Sequence, residues 1–188
     1  NISILFPDPE TRWRWVDNGI RLLREEGIRF NPRDPGLCWN LGWLYQHKIG
    51  FIMDSAHPYY RRRLADDMQA ALAGPRPPPD DGPEPRGRLP LDAGLMRRLD
   101  AEYGPFDWRL PETHAFYWAW RGLQAAVHDP EAAGPAAAGA PCSCHPDAHT
   151  PAALSSARAC HQMLFQSLSA AFRQGRLDFD PAAGVYVT

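Results

Sequence analysis

Lysine is nearly missing from this chain: of 20 basic side chains only Lys48 is not arginine. Together with the many alanines and prolines, this is the usage of a GC-rich bacterial genome. Cysteine is scarce too, with 4 in 188 residues. Cys142 and Cys144 stand one residue apart, while Cys38 and Cys160 fall in apolar, helix-like stretches. No disulfide framework is therefore expected, and a reducing compartment is favoured. No apolar run approaches the roughly 18 residues needed to span a bilayer, and no basic-then-apolar leader opens the chain. The first residue is Asn1 rather than Met, so the expectation is a fragment, a processed form or a piece of a longer protein. Charge of one sign is also lacking: the net charge is -2 and the pI is near 6.4. Nucleic acid is not an expected partner. Gly-x-Ser-x-Gly, the phosphate-binding loop and His-Glu-x-x-His are all absent, so nothing in the motifs supports an enzyme.

What the chain has in excess is proline and glycine. Twenty prolines and fifteen glycines, 35 of 188 residues, exceed the roughly 12% of average usage. They divide the chain into a helical block at 1–73, a Pro-rich linker at 74–88 and a second helical block at 89–188. An Ala/Gly/Pro-rich insertion lies at 129–150 within the second block. Apolar spacing then predicts six helices, near 9–27, 34–49, 54–73, 90–103, 111–128 and 151–174. Asp8-Pro9 and Asp34-Pro35 suit helix starts, Asp54 is placed to cap the third, and Gly27 is placed to stop the first. The expected apolar faces are Trp15, Ile20, Leu22, Leu23 and Ile28 on the first helix, and Leu154, Ala157, His161, Leu164, Leu168 and Phe172 on the last. Leu41, Tyr45, Tyr60 and Leu64 are expected to join the second and third. The helix at 111–128 is apolar nearly all round and is expected at the centre. The fold class is all-α.

One segment repeats in outline. Leu22-Leu23-Arg24-Glu25-Glu26-Gly27-Ile28-Arg29-Phe30-Asn31-Pro32 is echoed by Ala170-Ala171-Phe172-Arg173-Gln174-Gly175-Arg176-Leu177-Asp178-Phe179-Asp180-Pro181. With Pro32 closing one unit and Leu41, Gly42 and Tyr45 following at the Leu-Gly-Tyr positions, the chain resembles a tetratricopeptide repeat. Ala56 and Tyr60 match the second helix of such a unit after a two-residue insertion. The resemblance implies antiparallel helix pairs interrupted by Pro/Ala/Gly-rich insertions, with Gly42 admitting a close-packed helix. The stretch from Asp8-Pro9-Glu10 through Gln46-His47-Lys48-Ile49-Gly50, with Tyr103-Gly104-Pro105 through His114-Ala115, is similar to a family of large tetratricopeptide-type proteins of planctomycetes and verrucomicrobia. That likeness implies the cytoplasm or the soluble part of a membrane-associated bacterial protein, and carries no activity with it.

Two segments hold candidate site residues. Cys142-Ser143-Cys144-His145, with His149 four residues on, puts four soft ligands within eight residues, a possible zinc or copper site. Cys-x-Cys spacing is wrong for a zinc knuckle, and a solvated loop is the alternative. Gly104 to Glu112 is dense in residues that lock a loop or anchor a partner: Asp107 and Arg109 are placed to pair, and Trp108 to plug a helix junction. Trp108, Arg109, Trp118 and Arg121 are the candidate binding residues. His47, His57, His114 and His161 lie on helices beside apolar neighbours, as caps or core histidines rather than bases. The functional expectation is a non-catalytic helical-repeat module that binds a protein or peptide, with no cofactor. The alternative is a metal- or redox-linked domain built on the Cys142 to His149 loop.

Overall fold

The computed structural model describes residues 2–79, 91–126, 151–180, 182 and 185–187. After a 3-10 turn at Ile2–Leu5, α1 (Pro9–Arg21) runs through a π-helical turn at Leu22–Gly27 into α2 (Ile28–Phe30). Helix α3 (Pro35–Trp43) likewise continues through a π turn at Leu44–Ile49. Then come α4 (His57–Leu72), α5 (Ala93–Tyr103), α6 (Pro111–Ala126) and α7 (Pro151–Gln174). Strands β1 (Asp178–Asp180) and β2 (Val185–Val187) close the chain as an antiparallel hairpin, Phe179 opposite Tyr186. The architecture is all-α, and the hairpin is its one departure among the described residues.

The starts follow the sequence. Asp8 accepts the Thr11 N–H at 2.7 Å and Asp34 accepts that of Gly36 at 2.8 Å. Each precedes a proline at the first helical position, whose missing N–H costs nothing there. Asp92 caps α5 in the same way through the Leu95 N–H. Asp54 does not cap α4, which starts at His57 with Ala56 in the capping position and no side-chain cap. Its carboxylate is engaged elsewhere.

Gly27 does not stop the first helix. It keeps helical dihedrals, the chain widens into the π turn, and the rod ends at Asn31, just before Pro32. A residue before proline is driven out of the α region, which explains the shift. The buried face of the first rod is partly the expected one: Ile20 and Ile28 are buried and Leu23 packs on the core. Trp13, Val16 and Ile20 face the core, whereas Trp15 and Leu22 are exposed, with Trp15 stacked on Phe6. On α7 the inward stripe is Cys160, Met163, Ser167 and Ala171, one residue away from the expected one, and His161, Leu154 and Phe172 face out.

Helix α6 occupies the centre, as its all-round apolarity requires: residues 111–119 are all buried. It packs against α7 and α3, which also touch each other. Small residues set that closeness. A methyl group on Gly42 of α3 would overlap the Met163 sulfur of α7 and stand 3.3 Å from the Ala115 carbonyl of α6. Leu41, Tyr45, Tyr60 and Leu64 are all buried, and one core spans residues from Trp13 to Ala171. The helices before and after the linker thus share their apolar interior.

Candidate functional site

Two buried carboxylates organise the polar interior. Asp54, only 4% exposed, receives four donors. Its Oδ1 accepts from Arg12 at 2.9 Å and from the Ala56 N–H at 3.0 Å. Its Oδ2 accepts from Lys48 Nζ at 2.5 Å and from the Tyr60 hydroxyl at 3.1 Å. Burial pushes the Asp54 carboxyl up, but the Lys48 and Ala56 hydrogen bonds and the Lys48 charge outweigh it and hold it down at about 2. Tyr60 is pushed up, by burial and then by its bond to the Asp54 carboxylate. The chain's single lysine is thus its most buried cation among the described residues, and it meets Asp54 as a compact ammonium rather than a planar guanidinium.

Arg12 extends this cluster. Its Nε donates to the Phe6 carbonyl at 2.5 Å and its terminal nitrogen also reaches Ser55 Oγ at 3.2 Å. One side chain therefore fastens the N-terminal 3-10 turn to the loop between α3 and α4. Both segments expose large apolar groups. Ile2, Ile4 and Leu5 are 53–76% exposed, and Phe51, Ile52 and Met53 57–72%. Nearby, Arg61 donates to the Gly50 carbonyl at 2.9 Å and to Glu112 Oε1 at 2.8 Å.

Asp107 anchors the second cluster. Arg109 pairs with it in a two-pronged contact, Nε to Oδ1 at 2.9 Å and a terminal nitrogen to Oδ2 at 2.7 Å. The expected Asp107–Arg109 pair is therefore formed. The same two side chains also hold Leu177 by its backbone: the Leu177 N–H donates to Asp107 Oδ2 at 2.9 Å, and Arg109 donates to the Leu177 carbonyl. Arg109 further donates to Gln69 of α4 at 3.0 Å. Trp108 between them is fully buried, its ring edge-on to Phe106 and Tyr117. Its indole N–H donates to Asp100 at 3.2 Å and its backbone N–H to the Pro75 carbonyl at 2.9 Å.

Residues 75–78 of the Pro-rich linker are held by polar contacts: Arg76 pairs with Asp100 at 3.0 Å and Arg97 donates to the Pro78 carbonyl at 2.8 Å. The candidate binding residues differ in exposure. Trp108, Trp118 and Arg109 are buried, and Arg121 is half-buried with its guanidinium over the Trp118 ring at 5.2 Å.

The start of α6 lies between the two clusters. Glu112 faces Arg61. His114, fully buried, shares a hydrogen bond with the Trp108 carbonyl through Nε2 at 2.9 Å, and its ring lies 4.7 Å from that of Tyr45. Burial lowers its pKa to about 4, so the ring is neutral at ordinary pH and Nε2 carries the donated proton. His57 sits at the α4 start against the Asp54 carbonyl, His47 packs on Trp43, and His161 is exposed. Among the described residues no three His, Cys, Asp or Glu side chains cluster as metal ligands. Cys142, Cys144, His145 and His149 lie outside the described residues. An open depression among the described residues is lined by Asp92, Gly94, Leu95, Arg97 and Arg98.

Sequence reasoning found the Asp107–Arg109 pair because its members stand two positions apart. It missed the Asp54 cluster, whose members come from four segments. The available signal was Lys48, a lone lysine in a chain that otherwise uses arginine. No helix among the described residues is long and apolar enough to cross a membrane. No family model, curated protein or solved structure matches the chain.

Proposed function

We propose that this chain is a non-catalytic helical module that binds a protein partner through the apolar surface of its Arg12–Asp54 end. The observation that carries the reading is the pairing of two exposed apolar segments, Ile2–Leu5 and Phe51–Met53, on one buried charge cluster. Three consecutive large apolar residues in a loop cost solubility and do nothing for the core, and such patches mark contact surfaces. The cluster beneath supplies what a contact surface needs, a rigid support with its polar groups satisfied. The ionisable groups are consistent with this role: Asp54, Lys48 and Tyr60 are spent on one another, and His114 is neutral and sealed under Trp108. The tetratricopeptide-like pattern around Leu41, Gly42 and Tyr45 adds a class of protein in which binding without catalysis is usual.

A photo-reactive residue at position 52 or 4, with position 158 as control, tests the reading in cells that make the protein. Cross-links to one defined protein from 52 and 4, and none from 158, are expected. Equal labelling from all three positions would overturn the surface assignment. Elemental analysis separates the module from a metal- or redox-linked domain: stoichiometric zinc or copper in purified protein would favour the Cys142 to His149 loop instead.

A further inference from the structure

The thiols of Cys38 and Cys160 sit in the interior, 2% and 0% exposed, on two different helices. Cys38 lies on α3 and Cys160 on α7, and between them passes Gly122 of α6. A methyl group placed on Gly122 would overlap the Cys160 sulfur and stand 3.1 Å from Cys38 Cβ. Both cysteines therefore border the one point that a side chain at 122 would fill, and the glycine leaves that point empty. Disulfide geometry asks for Cβ atoms roughly 3.5–4.5 Å apart. Cys160 now donates weakly to the Pro35 carbonyl at 3.5 Å, a contact that a rotation toward Cys38 gives up at little cost.

We propose that Cys38 and Cys160 are a redox-active dithiol that closes to a disulfide across Gly122 and ties α3 to α7. The oxidant class is a small peroxide able to reach the interior during local opening. A Cys38 thiolate attacks one peroxide oxygen, the O–O bond breaks, and the departing hydroxide takes up the proton that Cys38 gave up, leaving as water with Cys38 as sulfenic acid. The Cys160 thiolate attacks that sulfur and expels hydroxide, which takes up the Cys160 proton as a second water. Two thiols and one hydrogen peroxide thus give one disulfide and two waters. Burial pushes Cys38 up to about 11 and Cys160 up to about 12, so thiolate is scarce and the reaction is slow in the closed fold. Arg121, which acts to lower Cys38, makes it the better attacking thiol. The consequence is a clasp set by sustained oxidation rather than a rapid sensor. It joins two helices that lie on either side of the linker and of the second insertion.

The test treats the full chain with hydrogen peroxide, alkylates it in denaturant, digests it and maps the cysteines by mass. A peptide linking Cys38 to Cys160, lost on reduction, is expected. The thermal midpoint should rise by about 10 °C in the oxidised protein, because the bridge closes a long loop. Cys38→Ala and Cys160→Ala should each abolish both changes. Recovery of Cys38 and Cys160 as free thiols or sulfinic acids would overturn the proposal, and so would linkage of either one only to Cys142 or Cys144. The wild-type map decides even if a variant fails to fold.

Discussion

The Asp54 and Asp107 clusters are alike in chemistry and opposite in construction. Each is a buried carboxylate neutralised by a basic side chain and reinforced by backbone N–H groups. Asp107 takes its cation from two residues away and spends the pair on the backbone of Leu177, so it joins a loop to the C-terminal tail. Asp54 assembles Arg12, Lys48 and Tyr60 from three separate segments, so it exists only once α1, the α3–α4 loop and α4 have come together. One is sealed beneath Trp108, and the other carries an exposed apolar rim. Similar charge pairs thus serve one region as an internal fastener and the other as a support for a surface.

The comparison is broken most severely by removing one charge of the tighter pair. Lys48→Met leaves Asp54 buried with Arg12 alone, and should cost about 3–5 kcal/mol in a urea titration. Lys48→Arg should recover only part of that loss, because a planar guanidinium is not equivalent to the compact ammonium that meets Asp54. Trp108→Ala, on the other side, should cost a similar ~3–5 kcal/mol through the cavity left among Phe106, Tyr117 and the docked linker. It should do so without altering cross-linking from position 52.

His114 connects the two clusters and gives the comparison a pH dependence. Its pKa in the folded chain is about 4, against an ordinary 6.5. Between those values the unfolded chain binds a proton that the folded chain refuses. Stability should therefore fall as pH drops from 6.5 toward 4 and level off below, by about 3 kcal/mol in all. Urea midpoints at pH 7 and 5 for wild type and His114→Gln check this, and the variant should lose most of the slope. Asp54 acts lower down: its stabilising charge is complete above pH 4 and disappears as pH falls through about 2. The smallest effect belongs to Arg76→Ala. Its pair with Asp100 is half exposed, so the loss should stay under about 1 kcal/mol.

Much of the fold was legible because local chemistry decided it. The Asp-Pro starts at Pro9 and Pro35 and the all-apolar face of α6 fell where the residues placed them. The faces of α1 and α7 did so only in part, for two reasons. The π turn at Leu22–Gly27 widens the rod after α1 and changes which side chains follow the core. On α7 the inward stripe is Cys160, Met163, Ser167 and Ala171, three of them small, so the larger apolar residues Leu154 and Phe172 pointed to the wrong side. The echo between Leu22–Pro32 and Ala170–Pro181 illustrates a similar limit. Gly27 stays helical, whereas Gly175 turns to φ +68° and ends α7. The same letter supplies conformational freedom in both places, and the surrounding packing decides whether it is used. Asp107–Arg109 was readable at a spacing of two, but no spacing rule brings residues 12, 48, 54 and 60 together.

The most direct test of the account replaces Phe51, Ile52 and Met53 together by serine and measures the unfolding free energy. If these residues form a contact surface resting on the Asp54 cluster, their side chains contribute almost nothing to the isolated fold. The midpoint in urea should then correspond to a change within about 0.5 kcal/mol, with helical content unchanged. A loss above about 2 kcal/mol would mean that the loop packs inward and that its apolar face serves the fold rather than a partner.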